Sequence, residues 1–124
     1  MRPRSSTLTE QELEIMKIVW ERDSVTVRDV YEALLEKRKI AYTTVMTMMN
    51  ILEQKRYLKK TQKDRAYVYR PSKPKGQVIR GMVREFVDRV FNGAAEPLLA
   101  HLVEDERLTP QDLEELTRMM KKER

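Results

Sequence analysis

Apolar positions in the first half of the chain recur at helical spacing. Leu13, Met16, Val19 and Trp20 form one stripe, and Thr9 stands three residues ahead of Glu12, the spacing of a capping box. This predicts a first helix from about Thr9 to Arg22. Asp23-Ser24 breaks the pattern, and Val25 leaves room for only a very short strand. Thr26 is a candidate N-cap for a second helix, with Asp29 in its first turn. Val27, Val30, Tyr31 and Leu34 line that helix, which ends near Arg38. Val45, Met48, Met49 and Leu52 follow at i, i+3, i+4 and i+7 and predict a third helix from about Tyr42 to Arg56.

The period then changes. Leu58–Thr61 and Ala66–Tyr69 read as strands joined by the polar turn Gln62–Arg65. Tyr67 and Tyr69 share one side of the hairpin and are expected to form its core. Three helices followed by a two-stranded hairpin ending in Pro71 is the order of a winged helix-turn-helix, with the hairpin as the wing. Pro71–Pro74 reads as a linker, dividing the chain into 1–73 and 74–124. Helix 4, about Lys75 to Asn92, carries a broad apolar face and stops at Asn92-Gly93. Helix 5 covers about Ala95–Glu104, and Thr109-Pro110 opens helix 6. The expected fold is mostly α: a winged helix-turn-helix of three helices plus a β-hairpin wing, then a three-helix domain.

The third helix has an unusual outer face. Thr43, Thr44 and Thr47 are β-branched and weak helix formers, where solubility alone calls for Glu, Lys or Ala. With Val45, Met48, Met49 and Leu52 inward, Thr43, Thr44, Met46, Thr47 and Asn50 face out. In a helix-turn-helix the second helix lies in the major groove with its N-terminal residues at the base edges. Hydroxyls there donate to or accept from bases, a Thr methyl packs on the thymine methyl, and Asn bonds adenine in bidentate fashion. Capping of the helix by Thr43 and Thr44 is the plainer alternative, and Thr47 is too far inside the helix for that role.

Charge placement strengthens the DNA reading. The 124 residues carry a net charge of +5. Residues 1–73 hold 16 Lys and Arg against 10 Asp and Glu, whereas residues 74–124 hold 9 against 10. Tyr42, Lys55, Lys59, Lys60, Lys63 and Arg65 are candidate contacts to the DNA backbone, which position a protein without reading sequence. A solvated basic face on a protein-interaction module is the alternative.

The same composition excludes other classes. Cys is absent, which excludes disulfides, cysteine-ligated metals and thiol nucleophiles. There is one His, His101, and no Gly-rich phosphate loop, so neither an enzyme nor a bound cofactor or metal is expected. MRPRSSTLTE has no apolar leader region and no run approaches 18 apolar residues, so a cytoplasmic protein without a membrane span is expected.

The tail has its own logic. Its 51 residues spread apolar positions over three helices, more than so small a unit can bury alone. Ile79, Met82, Val83, Phe86, Val87, Val90 and Phe91 on helix 4, Leu99 and Leu102 on helix 5, and Leu113, Leu116 and Met120 on helix 6 are the expected faces of a homodimer. A twofold dimer matches a palindromic DNA site.

LTEQELEIMKIVW, SVTVRDVYEALLEKRKIAYTTVMTMMNILEQKRYL, DRAYVYRP and RVFNGAAEPLLAHLVEDERLTPQDLEEL resemble the penicillinase/methicillin-resistance repressor family, the BlaI/MecI/CopY group. The likeness runs from about Leu8 to Leu116. It implies a dimeric repressor that binds inverted repeats in double-stranded promoter DNA through a winged helix. Base contacts of the family carry over to Thr43, Thr44 and Thr47, and the wing contact to Lys63–Arg65. Two departures stand out. Copper-responsive members end in clustered cysteines, which this chain lacks. β-Lactam-responsive members are cut by a sensor protease at an Asn-Phe bond, and the matching pair here is His101-Leu102.

Overall fold

The computed structural model of the chain describes residues 7–122. Met1–Ser6, part of the segment read as lacking an apolar leader, lie outside the described residues. The element order is α1 (Glu10–Arg22), α2 (Val27–Leu35), α3 (Tyr42–Gln54), β1 (Leu58–Lys63), β2 (Ala66–Pro71), α4 (Lys75–Phe91), α5 (Glu96–Glu104) and α6 (Pro110–Lys122). Among the described residues, no helix is long and apolar enough to cross a membrane.

Local chemistry starts the first two helices as expected. Glu12 N–H donates to Thr9 Oγ1 at 3.1 Å while Thr9 N–H donates to Glu12 Oε1 at 2.9 Å. Thr26 and Asp29 repeat the arrangement at α2. Each such cap satisfies two backbone donors that a helix otherwise leaves open, and is worth about 1 kcal/mol. Both α2 and α3 end earlier than their apolar spacing predicts. Glu36–Arg38 fold into a turn whose N–H groups at Lys37 and Arg38 return to Leu34 O. Arg38 also leaves the helix to bond Glu14 at 2.7 Å and 2.9 Å. At the end of α3, Arg56 takes a φ of 71° and Tyr57 N–H reaches back to Leu52 O at 2.9 Å, a helix-ending bond that usually passes around a glycine.

The three helices and the hairpin enclose one core. Ile15, Met16 and Val19 of α1, Val30 and Leu34 of α2, and Val45, Met49 and Leu52 of α3 are buried together with Val25, Tyr57, Leu58 and Tyr69. Burying one such aliphatic side chain stabilises the fold by roughly 1.5–3 kcal/mol. β1 and β2 pair antiparallel from Leu58↔Pro71 to Lys63↔Ala66, so the turn is the two residues Asp64-Arg65, shorter than the Gln62–Arg65 segment expected. Both have positive φ, 52° and 74°, as a hairpin loop of this length requires. Val25 supplies the expected short strand, a bridge to Tyr69.

The proline linker does not end the first unit. The chain divides between Met82 and Val83, inside α4. Trp20 Nε1 donates to Lys73 O at 2.9 Å and Ser72 N–H donates to Tyr57 O at 2.8 Å, which pin the linker down. Val78 is buried and Met82 packs on the winged-helix core. Met82, assigned to the dimer face, lies half-buried against the winged-helix core, apart from the exposed residues of the second unit.

In the second unit, Phe86 meets Phe91 edge to face with centroids 5.9 Å apart, and Phe91 lies 6.0 Å from the His101 ring. Asn92 and Gly93 end α4 at positive φ, and a Thr109–Asp112 capping box opens α6. Among the described side chains from Ile79 onward, none is buried. Val83, Phe86, Val90, Leu99, Leu113, Leu116 and Met120 are exposed, Met120 to 68%. Ile79, Val87, Phe91 and Leu102 are half-buried.

Candidate nucleic-acid interface

The start of α3 differs from the start of its neighbours. α1, α2 and α6 each begin with a reciprocal side-chain cap. α3 begins at Ala41, which has no side chain able to cap and makes no side-chain cap bond. The first N–H groups of α3 are thus left for an external acceptor, the condition under which a helix N-terminus takes a phosphate. Thr43, Thr44 and Thr47 are exposed, and their hydroxyls have no hydrogen-bond partner among the described residues. The capping alternative for Thr43 and Thr44 is therefore not realised. Met46, 39% exposed, stands beside them.

Between α3 and the wing runs an open groove of about 500 Å³, lined by Tyr42, Met46 and Asn50 on one side and Lys60, Arg65 and Tyr67 on the other. Tyr42 is held edge-on by Tyr31 at 5.3 Å. Lys60 Nζ lies 4.6 Å from the Tyr67 ring centroid and 6.0 Å from that of Tyr69, so its stem is laid along the wing and its charge is directed. Lys59, Lys63 and Arg65 are exposed on the strand and at the turn.

Three expectations change on contact with the structure. Lys55 is no backbone contact: its ammonium lies 2.8 Å from Glu12 Oε1 and its side chain is only 14% exposed. Burial alone raises the Glu12 pKa, yet the Lys55 hydrogen bond and charge, with the Thr9 bonds, bring it below the usual 4.5. Tyr67 is not wing core. It is 51% exposed and overhangs the groove, while Tyr69 is buried at 2%. Asn50 is half-buried, and its Oδ1 accepts a hydrogen bond from Tyr69 Oη at 3.2 Å, so bidentate pairing with adenine is closed to it in this arrangement.

One residue was missed. Arg28, at the start of α2, lines the same groove with its guanidinium carbon 6.0 Å from the Tyr42 ring, and its exposed ion pair with Glu32 at 3.4 Å holds it weakly. The signal was present in sequence: a basic residue two positions after the N-cap of the helix that precedes the reader.

Comparison with known proteins agrees with this arrangement. The sequence model of the family described as penicillinase repressor matches residues 8–122. A transcriptional regulator BlaI of Mycobacterium tuberculosis is 35% identical over 99 residues, which cover 78% of this chain and 72% of that protein. A penicillinase repressor of Bacillus licheniformis is 25% identical over 113 residues, covering 91% of this chain and 88% of the relative. Among solved structures, that of monomeric Bacillus licheniformis BlaI in complex with the blaP half-operator superimposes with a TM-score of 0.50 at 27% identity, covering 60% of this chain and 87% of that one. With the winged helix, its uncapped outward helix and a family match over nearly its whole length, the chain belongs to the penicillinase repressor family.

Proposed function

We propose that this protein is a cytoplasmic, sequence-specific transcriptional repressor that binds inverted-repeat operators in double-stranded promoter DNA as a homodimer. The observation that carries the reading is the start of α3, where an uncapped helix presents three exposed threonines without internal partners. Thr43, Thr44, Met46 and Thr47 read base edges. Arg28, Tyr42, Lys59, Lys60, Lys63 and Arg65 hold the phosphates on either side of the groove. The BlaI relative bound to a half-operator supports DNA as the partner. A mobility-shift titration of the protein on its own upstream region against unrelated duplex of equal length tests the reading. Selective retention of the upstream fragment is expected, and equal affinity for both fragments would leave only a nonspecific basic surface.

The dimer rests on the second unit, whose apolar residues on α4, α5 and α6 are exposed in the single chain. Exposed apolar surface of this extent marks an association face. Release of repression by a sensor protease of the β-lactam type is expected to fail at His101-Leu102. A pocket that bonds an Asn amide is left with unpaired polar groups by an imidazole. The carbonyl of that peptide bond is also engaged, since His101 O accepts from Asp105 N–H at 3.0 Å at the end of α5. Terminal mass spectrometry on protein recovered from β-lactam-treated cells checks this, and a new N-terminus at Leu102 would refute it.

A further inference from the structure

Tyr69 is anchored on the wing through both its backbone and its ring. Its N–H donates to Val25 O at 2.7 Å, and its carbonyl accepts from Val25 N–H at 3.0 Å. Its ring is buried, and Lys60 faces it across the ladder. From this fixed base the phenol donates to the side-chain carbonyl of Asn50 in α3. Burial, and after it the Glu53 carboxylate, push the Tyr69 hydroxyl above the usual 10.0, so it stays a proton donor under all physiological conditions.

An amide has a donor end and an acceptor end. Free Asn in a major groove uses both and pairs with adenine N6 and N7. Here the acceptor end is turned inward to Tyr69, and Asn50 Nδ2 is the end left for the groove that Asn50 lines with Met46, Lys60 and Tyr67. The negative potential of DNA favours the same orientation, N–H outward. At 3.2 Å the bond is longer than an O–H donor usually makes, so its leverage is on orientation more than on stability.

Building on the proposed DNA-binding function, we infer that Tyr69 is a positioning residue that makes Asn50 a donor-only reader of one base. Such a reader accepts guanine through O6 or N7, adenine through N7, or thymine through O4. It rejects cytosine, whose major-groove edge offers only the N4 amino donor. Tyr69 thereby couples the wing to the specificity of α3 without touching a base.

The test is selection by the full-length protein from a duplex DNA library randomised across the bound site, with sequencing of the retained fraction. For the unaltered protein, one position is expected to be depleted of cytosine and to accept the other three bases. Asn50→Asp keeps the bond to Tyr69 with one carboxylate oxygen and offers the other to the DNA, so that position should gain cytosine by roughly tenfold and lose guanine and thymine, which have no amino donor in the major groove. Tyr69→Phe frees the amide to pair at both ends, so the same position should narrow to adenine while the other positions and the salt dependence stay unchanged. A merely structural Tyr69 would lower binding to every sequence alike. An unchanged base profile in both variants, or a uniform loss in Tyr69→Phe with no change in Asn50→Asp, overturns the inference. If Tyr69→Phe fails to fold, as read by circular dichroism, the Asn50→Asp profile decides alone. Failure of the unaltered protein to enrich any sequence would instead overturn the DNA-binding reading itself.

Discussion

Lys55 and Lys63 belong to the same basic run, yet their surroundings give them different work. Lys63 is exposed beside the wing turn, where its charge is free for a phosphate. Lys63→Ala should weaken binding to specific and random duplex equally and lower the slope of log affinity against log salt by roughly 1 per protomer. Lys55 is committed to Glu12. Lys55→Met should cost roughly 1.5–3 kcal/mol of folding stability, since it strands a carboxylate that is itself nearly buried, and should leave the salt slope unaltered. Chemical denaturation and salt titrations on both variants separate the two roles. The pair also fixes a pH dependence. Because the Glu12 carboxyl is held below its usual 4.5, the pair contributes fully above that pH, and the contribution is lost as pH falls through the lowered folded value. The gap in melting temperature between the unaltered protein and Lys55→Met should therefore close below about pH 4.5 and stay open at neutral pH. Nothing local in the sequence marks Lys55 as different, because its partner lies 43 residues away.

At the scale of elements, the helices were legible where local chemistry decides and less so where the tertiary fold decides. Thr9, Thr26 and Asn92-Gly93 mark helix ends by their own chemistry, and α1, α2 and α4 begin or end there. The ends of α2 and α3 were overrun because Arg38 is drawn off to Glu14 and Arg56 takes a left-handed conformation, neither of which spacing reveals. Tyr67 and Tyr69 share a strand face, but only Tyr69 lies deep enough to be covered by the helices. The bare start of α3 yields the sharpest element-level prediction. Ala41→Asp supplies the missing cap and should stabilise the protein by about 1 kcal/mol. The same carboxylate would occupy the place of a phosphate and repel the backbone, so DNA affinity should fall while thermal stability rises. Melting curves and binding titrations on one preparation check both signs, and a parallel rise of stability and affinity would show that the helix start is not a DNA contact.

For the molecule as a whole, the second unit has apolar residues in excess of what it covers. Phe86 is at the centre of the exposed stripe of α4, 40% exposed in the single chain and set edge-on to Phe91. Phe86→Asp should give a monomer by sedimentation velocity while the winged helix stays folded. Binding to a two-half-site operator should then fall by roughly 10² to 10⁴, the advantage that linking two binding modules confers. Binding to a single half-site should change little. A variant that remains dimeric would place the interface away from this stripe. The excess of apolar positions in the tail was legible in the sequence, but the place of Met82 was not, since only the fold shows α4 packing Val78 and Met82 on the winged-helix core.

The central claim is that the outward threonines of α3 read sequence. Fluorescence anisotropy with the footprinted operator and a scrambled duplex of equal length, for the unaltered protein and Thr47→Ala, tests it most directly. Thr47 has no internal partner to lose, so its removal should leave folding intact. The expected result is a loss of roughly 1–3 kcal/mol on the operator with little change on the scrambled duplex. An unchanged ratio of the two affinities in a folded Thr47→Ala protein would contradict the account.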